Sequence, residues 1–318
     1  MSIPNDATLI SLNRPYVFKG TFPGGFVDQF VRKFPFHRIE QPTTQVSWNL
    51  LSSSNAISFY LPDPPSPLPT NPLNFSASNL TLTRVGDSVL VDYFSEVVSG
   101  NTNNLLDTEI QTKKVGIIRT LGAQIIQGNG IAPNIKGLQS LVISSQQFSV
   151  ASTGGVPYLK ELNQLVHMVR ASDGCVGGGA DCIVTHERVL RWILLALAPT
   201  YGILEFRHDA DLGVSVPYFR GIPIYIGQSE AYDSPLAYDI WALKMSGPTG
   251  IRMLHAAGRS EEFGIDVVKI PIQPGSAQLG AFVGGLYGLM VPEAQSIARI
   301  QGVLDSTLTS VGIDPLPT

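Results

Sequence analysis

Hydrophobic positions along the chain follow two rhythms that mark out different segments, one of period about 3.6 and one of period about two. The helical rhythm is longest over residues 103–127, where Leu106, Ile110, Ile117, Leu121 and Ile125 recur on one face. Asn103 is placed to cap this helix, and Gly128-Asn129-Gly130 to stop it. A second helix is expected over 158–170, burying Leu159, Leu162, Val166 and Val169. A third is capped by Thr185, carries Leu190, Ile193, Leu194 and Leu197 on its face, and ends at Pro199. Residues 293–301 are expected to form a last helix, and 28–33 one or two turns. Strand patterns fall at 56–61, 79–84, 88–93 (after a Gly86-Asp87 turn signal), 181–184, 218–226, 238–245 and 264–272. Strands and helices do not alternate as in a doubly wound sheet, so the chain is read as α+β.

One apolar run needs a decision between lipid and core. Residues 279–292 carry no charge, and Gly280, Gly284 and Gly288 have the spacing of a helix-pairing motif. Fourteen residues fall short of the roughly 20 a spanning helix needs. Glycines at this density also weaken a helix. As a strand, the run puts Phe282, Leu286 and Met290 on one face and Val283, Tyr287 and Val291 on the other. The strand is the expected form. The first twenty residues lack a basic segment followed by an apolar one, so no secretion signal is read and a soluble, cytoplasmic chain is expected.

Composition narrows the class. Of 318 residues, 44% are apolar and 14% charged, the reverse of the balance that keeps chains unfolded. A net charge of −4 gives no global field for holding nucleic acid. Two cysteines cannot staple so long a chain. The least ordinary stretch is 41–83, whose only charged residue is Asp63. At its centre Pro62, Pro64, Pro65, Pro67, Pro69 and Pro72 exclude a helix or a central strand. The expectation is a projecting two-strand loop with a stiff, extended tip. No basic residue flanks the prolines, which argues against a docking motif for proline-reading domains.

Candidate chemistry is sparse. His186-Glu187 opens like a zinc-protease motif, but Leu190 stands where the second histidine would be. Cys175 and Cys182 do not have zinc-ligand spacing, and the glycines at 174–179 lack the lysine of a phosphate-binding loop. His208, Asp209 and Asp211 form the densest polar cluster, the best candidate for a metal or acid–base site, although such clusters commonly lie on wet loops. Lys113, Lys114 and Arg119 make one basic spot on the long helix. No catalytic constellation results, and no catalytic, cofactor or metal residue is assigned.

The order of landmarks from Leu105 onward resembles the major capsid proteins of tailed phages, the Hong Kong 97 (HK97)-like fold family. The carrying phrases are AQIIQGNG at 123–130 with Lys136-Gly137-Leu138, and DCIVTHERVLRW at 181–192. YFRGIPIY at 218–225, YDIWALKMSGPTGIRML at 238–254 and LYGLMVPEAQSIARIQGV at 286–303 complete the series. The resemblance implies an N-terminal arm over 1–45 and an extended E-loop with flanking strands over 46–95. It implies a P-domain spine helix over 96–135 and an A-domain over 136–263. P-domain long strands then span 264–292, and an A-domain terminal helix and tail span 293–318.

It further implies a non-enzymatic chain that assembles with itself as pentamers and hexamers into an icosahedral shell around phage double-stranded DNA, contacted without sequence specificity. Separate scaffolding, portal and decoration proteins are the expected further partners, with no cofactor and no membrane. The expected location is the virion, after assembly in the host cytoplasm. Phe59, Tyr60, Pro62, Pro64, Pro65, Pro67, Pro69, Pro72 and Phe75 of the loop, with Phe22, Phe26 and Phe30 of the arm, are the expected inter-subunit contacts. An encapsulin-type shell around protein cargo is the alternative, and a metal-using soluble enzyme a weaker one. Two departures stand out. No lysine lies between Lys33 and Lys113, so loop-lysine cross-links are not expected. Little chain precedes the arm, and Met1 speaks against a removed segment, so scaffolding is expected from a separate protein.

Overall fold

The computed structural model describes residues 29–39, 45–51, 75–99, 105–150, 157–169, 179–201, 204–227, 232–234, 237–247, 249–256, 263–270 and 277–304. These residues form an α+β body of two large sheets, a long helix lying across the smaller one, and a separate two-stranded ribbon.

The longest element is helix α3 (Leu105–Gln127), preceded by α1 (Gln29–Lys33) and α2 (Tyr93–Ser99). All five residues of the expected stripe on α3 are buried, joined by Leu105, Ile118 and Ile126. Its start is held from the preceding helix, where the Glu96 carboxylate accepts from the Leu106 N–H at 3.1 Å. Its end is held by Gly128, whose N–H donates to the Gln124 carbonyl, and whose own carbonyl accepts from Gly137 N–H at 2.8 Å. A Cβ on Gly128 would lie 2.1 Å from the Ile135 carbonyl oxygen, and one on Gly137 would lie 2.5 Å from that of Gln124. The QGNG…KGL phrase is thus a backbone-on-backbone contact that only glycine permits.

Helix α3 lies across a five-stranded sheet. Its members are β1 (Phe36–Arg38), β4 (Thr83–Asp92), β12 (Arg252–His255), β13 (Asp266–Ile270) and β14 (Gln278–Met290). β14 is the spine of this sheet, with β4 on one side and β12 and β13 on the other; β1 pairs in parallel with β12. The glycine-rich run is therefore a strand. Ala281, Val283, Tyr287 and Leu289 point into the core shared with α3, while Phe282, Leu286 and Met290 on the opposite face are half-buried. The expected Gly86-Asp87 turn is absent. Gly86 sits inside β4 opposite Gly284, where a Cβ would lie 2.8 Å from the Val283 carbonyl oxygen. Here glycine serves close strand approach, and β4 runs on unbroken.

An eight-stranded sheet follows the order β5 (Gln147–Ser149), β15 (Ile297–Leu304), β11 (Ala237–Leu243), β6 (Cys182–Thr185), β9 (Ile222–Ile226), β8 (Val214–Phe219), β7 (Leu204–Asp209); β10 (Tyr232–Ser234) also pairs with β11. Both faces are covered over β15, β11, β6 and β9, while the edge strand β7 is largely exposed. Leu162, Leu165 and Val166 of helix α5 (Leu159–Met168) share a core with Ile183, Ile240, Ala242 and Ile300. Val189, Trp192 and Ile193 of helix α6 (Glu187–Tyr201) join the same core. On the opposite side Cys182, Val184, Trp241, Leu243 and Ile297 face the core that contains α3.

Several expectations are corrected. Residues 293–301 are not a helix: a single 3₁₀ turn (Ala294–Ser296) leads into β15. The slot between β5 and β11 overrides local preference, and there Arg299 meets Asp239 and stacks over Trp241. The expected single strand 218–226 is a hairpin, turned by Arg220 and Gly221, both with positive φ (52° and 83°). Thr185 ends β6 and does not cap α6; the cap is His186, whose Nδ1 accepts from the Arg188 N–H at 3.2 Å. Helix α6 continues past Pro199 to Tyr201. The expected strand 79–84 is divided between β3 (Phe75–Thr81) and β4, with Leu82 at the break. The expected strand 56–61 lies outside the described residues.

Candidate assembly surfaces

The N-terminal element is tied into the body at three kinds of contact. Phe30, Phe34, Phe36 and Phe263 form an edge-to-face series with centroids 5.2, 6.3 and 5.3 Å apart. Lys33 reaches Asp209 and Asp211 on the β7–β8 turn, each at 2.8 Å. β1 adds a short parallel pairing to β12. Phe30, expected to meet a neighbouring subunit, is fully buried in this chain's own core. Phe22 and Phe26 lie outside the described residues.

The same contacts dispose of the strongest metal candidate. The Asp209 carboxyl is held below its ordinary range chiefly by its hydrogen bond to Lys33, whose ammonium the two carboxylates hold well above its own, against the opposing pull of burial. His208 is exposed, while Asp209 is turned toward Lys33. Among the described residues no group of three or more His, Cys, Asp or Glu side chains is placed to hold a metal ion. His186 is buried as a helix cap stacked on Tyr238 at 4.6 Å, and the Cys182 thiol is buried, which pushes its pKa up. Cys175 and the glycines 174–178 lie outside the described residues. On α3, Lys113 pairs with Asp87 of β4, so part of the basic spot is engaged within the chain.

The two-stranded ribbon, β2 (Gln45–Leu51) with β3, pairs Gln45 with Thr81 through to Leu51 with Phe75. Seven residues carry it about 23 Å at the rise of a strand. Among the described residues it pairs with no other strand. At its base Leu80, with Leu82 just beyond it, packs against Gly288 of β14. Phe75 sits at its far end; Phe59, Tyr60, Pro62, Pro64, Pro65, Pro67, Pro69 and Pro72 are outside the described residues.

A third surface was not read from the sequence. At the opposite end of β14, no described residue covers the face turned away from α3. Leu90, Val268 and Ile270 are exposed, and Leu90 and Ile270 both come within 3.4 Å of a Cβ built on Gly280, so they close over that glycine from either side. In α2, which follows β4 directly, Tyr93, Phe94 and Val97 are exposed as well; Phe94 is 66% exposed and Val97 58%. The available signal was the run SVLVDYF, apolar at Leu90 as well as at Val89 and Val91, which means both faces of one strand. A strand that is apolar on both faces needs cover on both.

No protein-family model and no curated protein matches the sequence. Solved structures do match. A chain of the holo-SrpI encapsulin complex from Synechococcus elongatus is 13% identical with a TM-score of 0.70, covering 100% of both chains. The capsid of a native GTA particle is 11% identical with a TM-score of 0.63, covering 89% of this chain and 92% of that one. The capsid of Myoviridae phage XM1 is 12% identical with a TM-score of 0.57, covering 91% and 95%. The chain therefore has the HK97-like capsid fold.

Proposed function

We propose that this chain is a shell protein that assembles with copies of itself, as pentamers and hexamers, into an icosahedral particle enclosing double-stranded DNA. The observation that carries the reading is the bare apolar face over Gly280 in a fold found in capsids and an encapsulin. Exposed patches of this kind on a well-packed chain mark surfaces that a partner covers. The isolated ribbon and the uncharged stretch 41–83 fit the same demand for cover by a neighbour. Head-to-tail contacts that close by rotation yield rings, and rings of five and six tile a closed shell. In this reading the arm, the E-loop, the P-domain around α3 and β14, and the A-domain around α5 and α6 take the parts assigned from the sequence. The chain has no catalytic role, contacts DNA without reading bases, and works alongside separate scaffolding, portal and decoration proteins. Particles assemble in the host cytoplasm and end as the virion shell.

A second reading, a compartment shell around cargo protein, is favoured by the end-to-end overlay with an encapsulin chain. The deciding experiment purifies particles from cells expressing the chain in its natural context and measures nuclease-resistant DNA against co-purifying protein. Protected DNA supports the first reading; stoichiometric cargo protein without DNA supports the second. A chain that never forms particles in that context would sink both.

A further inference from the structure

We propose that the pairing of β1 with β12 is an acid-sensitive latch, in which protonation of His255 releases Phe36–Arg38 while α1 stays docked. The attachment is small. Register runs Phe36 with Met253, His37 with Leu254 and Arg38 with His255. The flanking backbone bonds are Met253 N–H to the Pro35 carbonyl at 2.9 Å and Ile39 N–H to the His255 carbonyl at 2.8 Å. His255 itself is only 4% exposed. Its ring fills the space beside Gly264, where a Cβ would lie 2.4 Å from the ring Cγ. Gly264 is held by its positive φ and by the Tyr287 hydroxyl, which donates to its carbonyl at 3.0 Å.

The ring has room for one proton. Nδ1 lies 3.2 Å from the Ala256 carbonyl oxygen, which only accepts, so Nδ1 carries the hydrogen of the neutral ring. A second proton on Nε2 places a cation inside the sheet. Among the described residues, the charged and titratable groups that act on it are Arg38 and His37 on β1, and Asp266 on β13. On β14 Tyr287 is neutral, its own ionisation pushed up by burial. Burial is the main cause holding His255 below its ordinary value, with Arg38 and His37 in the same direction; the Ala256 carbonyl and Asp266 oppose them. Release of β1 removes Arg38 and His37, two of the groups that hold the imidazole low, and so moves it toward its ordinary value near 6.5. The docked state thus binds fewer protons than the released one. Docking is strongest above pH ~6.5 and weakens below it.

The consequence is local. α1 is held by the burial of Phe30 and by the contacts of Lys33 with Asp209 and Asp211, none of which involves His255. β1 is the described element between α1 and the ribbon, so the latch sets how firmly the ribbon's leading strand is tied to the body. The inference does not depend on what a shell encloses.

Hydrogen exchange of the full chain, corrected for intrinsic rates, at pH 7.5 and 5.5 tests it. The expected result is a loss of protection at Ile39 and Met253 at pH 5.5, with α1 unchanged. His255→Gln keeps a donor for the Ala256 carbonyl but cannot titrate, and should abolish the pH response. His37→Gln should leave it intact. Should His255→Gln fail to fold, Arg38→Gln on the exposed end of β1 serves instead and should shrink the wild-type response. Equal protection at both pH values, or the same acid response in His255→Gln, overturns the latch.

Discussion

The two sheets of this chain meet opposite fates. The eight-stranded sheet is buried on both faces through β15, β11, β6 and β9, by α5 and α6 on one and by the core around α3 on the other, while its edge strand β7 is largely exposed. The five-stranded sheet is buried toward α3, and among the described residues its other face is covered at the Gly288 end by Leu80 and Leu82 but uncovered over Gly280. Where the chain covers both faces, it can also afford charge in the interior. Asp239 and Arg299 pair at 2.8 Å while almost wholly buried. Where it leaves a face uncovered, Leu90, Val268 and Ile270 stand exposed beside the exposed Ser88. The first sheet is complete in one copy; the second, on the proposed reading, is completed by another.

The largest effect expected lies in the completed sheet. Asp239→Ala strands a buried guanidinium and should cost about 3–5 kcal/mol in urea unfolding. Asp239→Leu with Arg299→Met should recover most of that loss, because a well-packed apolar pair replaces the ions at little cost. A matched pair of substitutions then probes the half-covered sheet. Val283→Ala on the inner face should cost about 2 kcal/mol. Val268→Ala on the bare face should change the isolated chain by less than about 0.5 kcal/mol. Equal losses at the two valines would break the comparison.

Smaller still is the tether of the N-terminal element. Lys33→Met should cost about 1 kcal/mol at neutral pH, since one partner carboxylate is largely exposed. The sign of its pH dependence follows from Asp209. A carboxyl held low contributes stability above its unfolded value near 3.9 and loses it as pH falls through the folded one. The stability difference between Lys33→Met and wild type should therefore be constant from pH 5 to 8 and shrink in acid, which unfolding curves at several pH values would follow. Least of all, Lys113→Ala should shift the melting temperature barely at all, because both ions of its pair stand in solvent.

How far the sequence could be read follows the same division. The buried face of α3 was legible because a helix packed on one side writes its contacts at fixed spacing. The long strand β14 was legible because its length and glycines disfavoured a membrane helix. β15 was misread because Ala294 to Gln301 has acceptable helix propensity, and only its neighbours in the sheet make it a strand. The Gly86-Asp87 signal misled because a glycine that permits a turn also permits close approach to Gly284. The resemblance named the fold, but the surface over Gly280 was missed. Its strand residues come from β4 and β13, far apart in sequence, and the register of β14 brings them together. Most of the contact residues expected from the loop and arm fall outside the described residues, and Phe30 belongs to the core.

The central claim is that the bare face over Gly280 is covered by a second copy of this chain. Sedimentation velocity on the full chain and on a Leu90→Glu/Phe94→Glu variant with an unchanged melting temperature tests it most directly. The account predicts fast-sedimenting closed particles for the wild type, and only monomers or small rings for the variant. Particles of the same size and yield from both would contradict it.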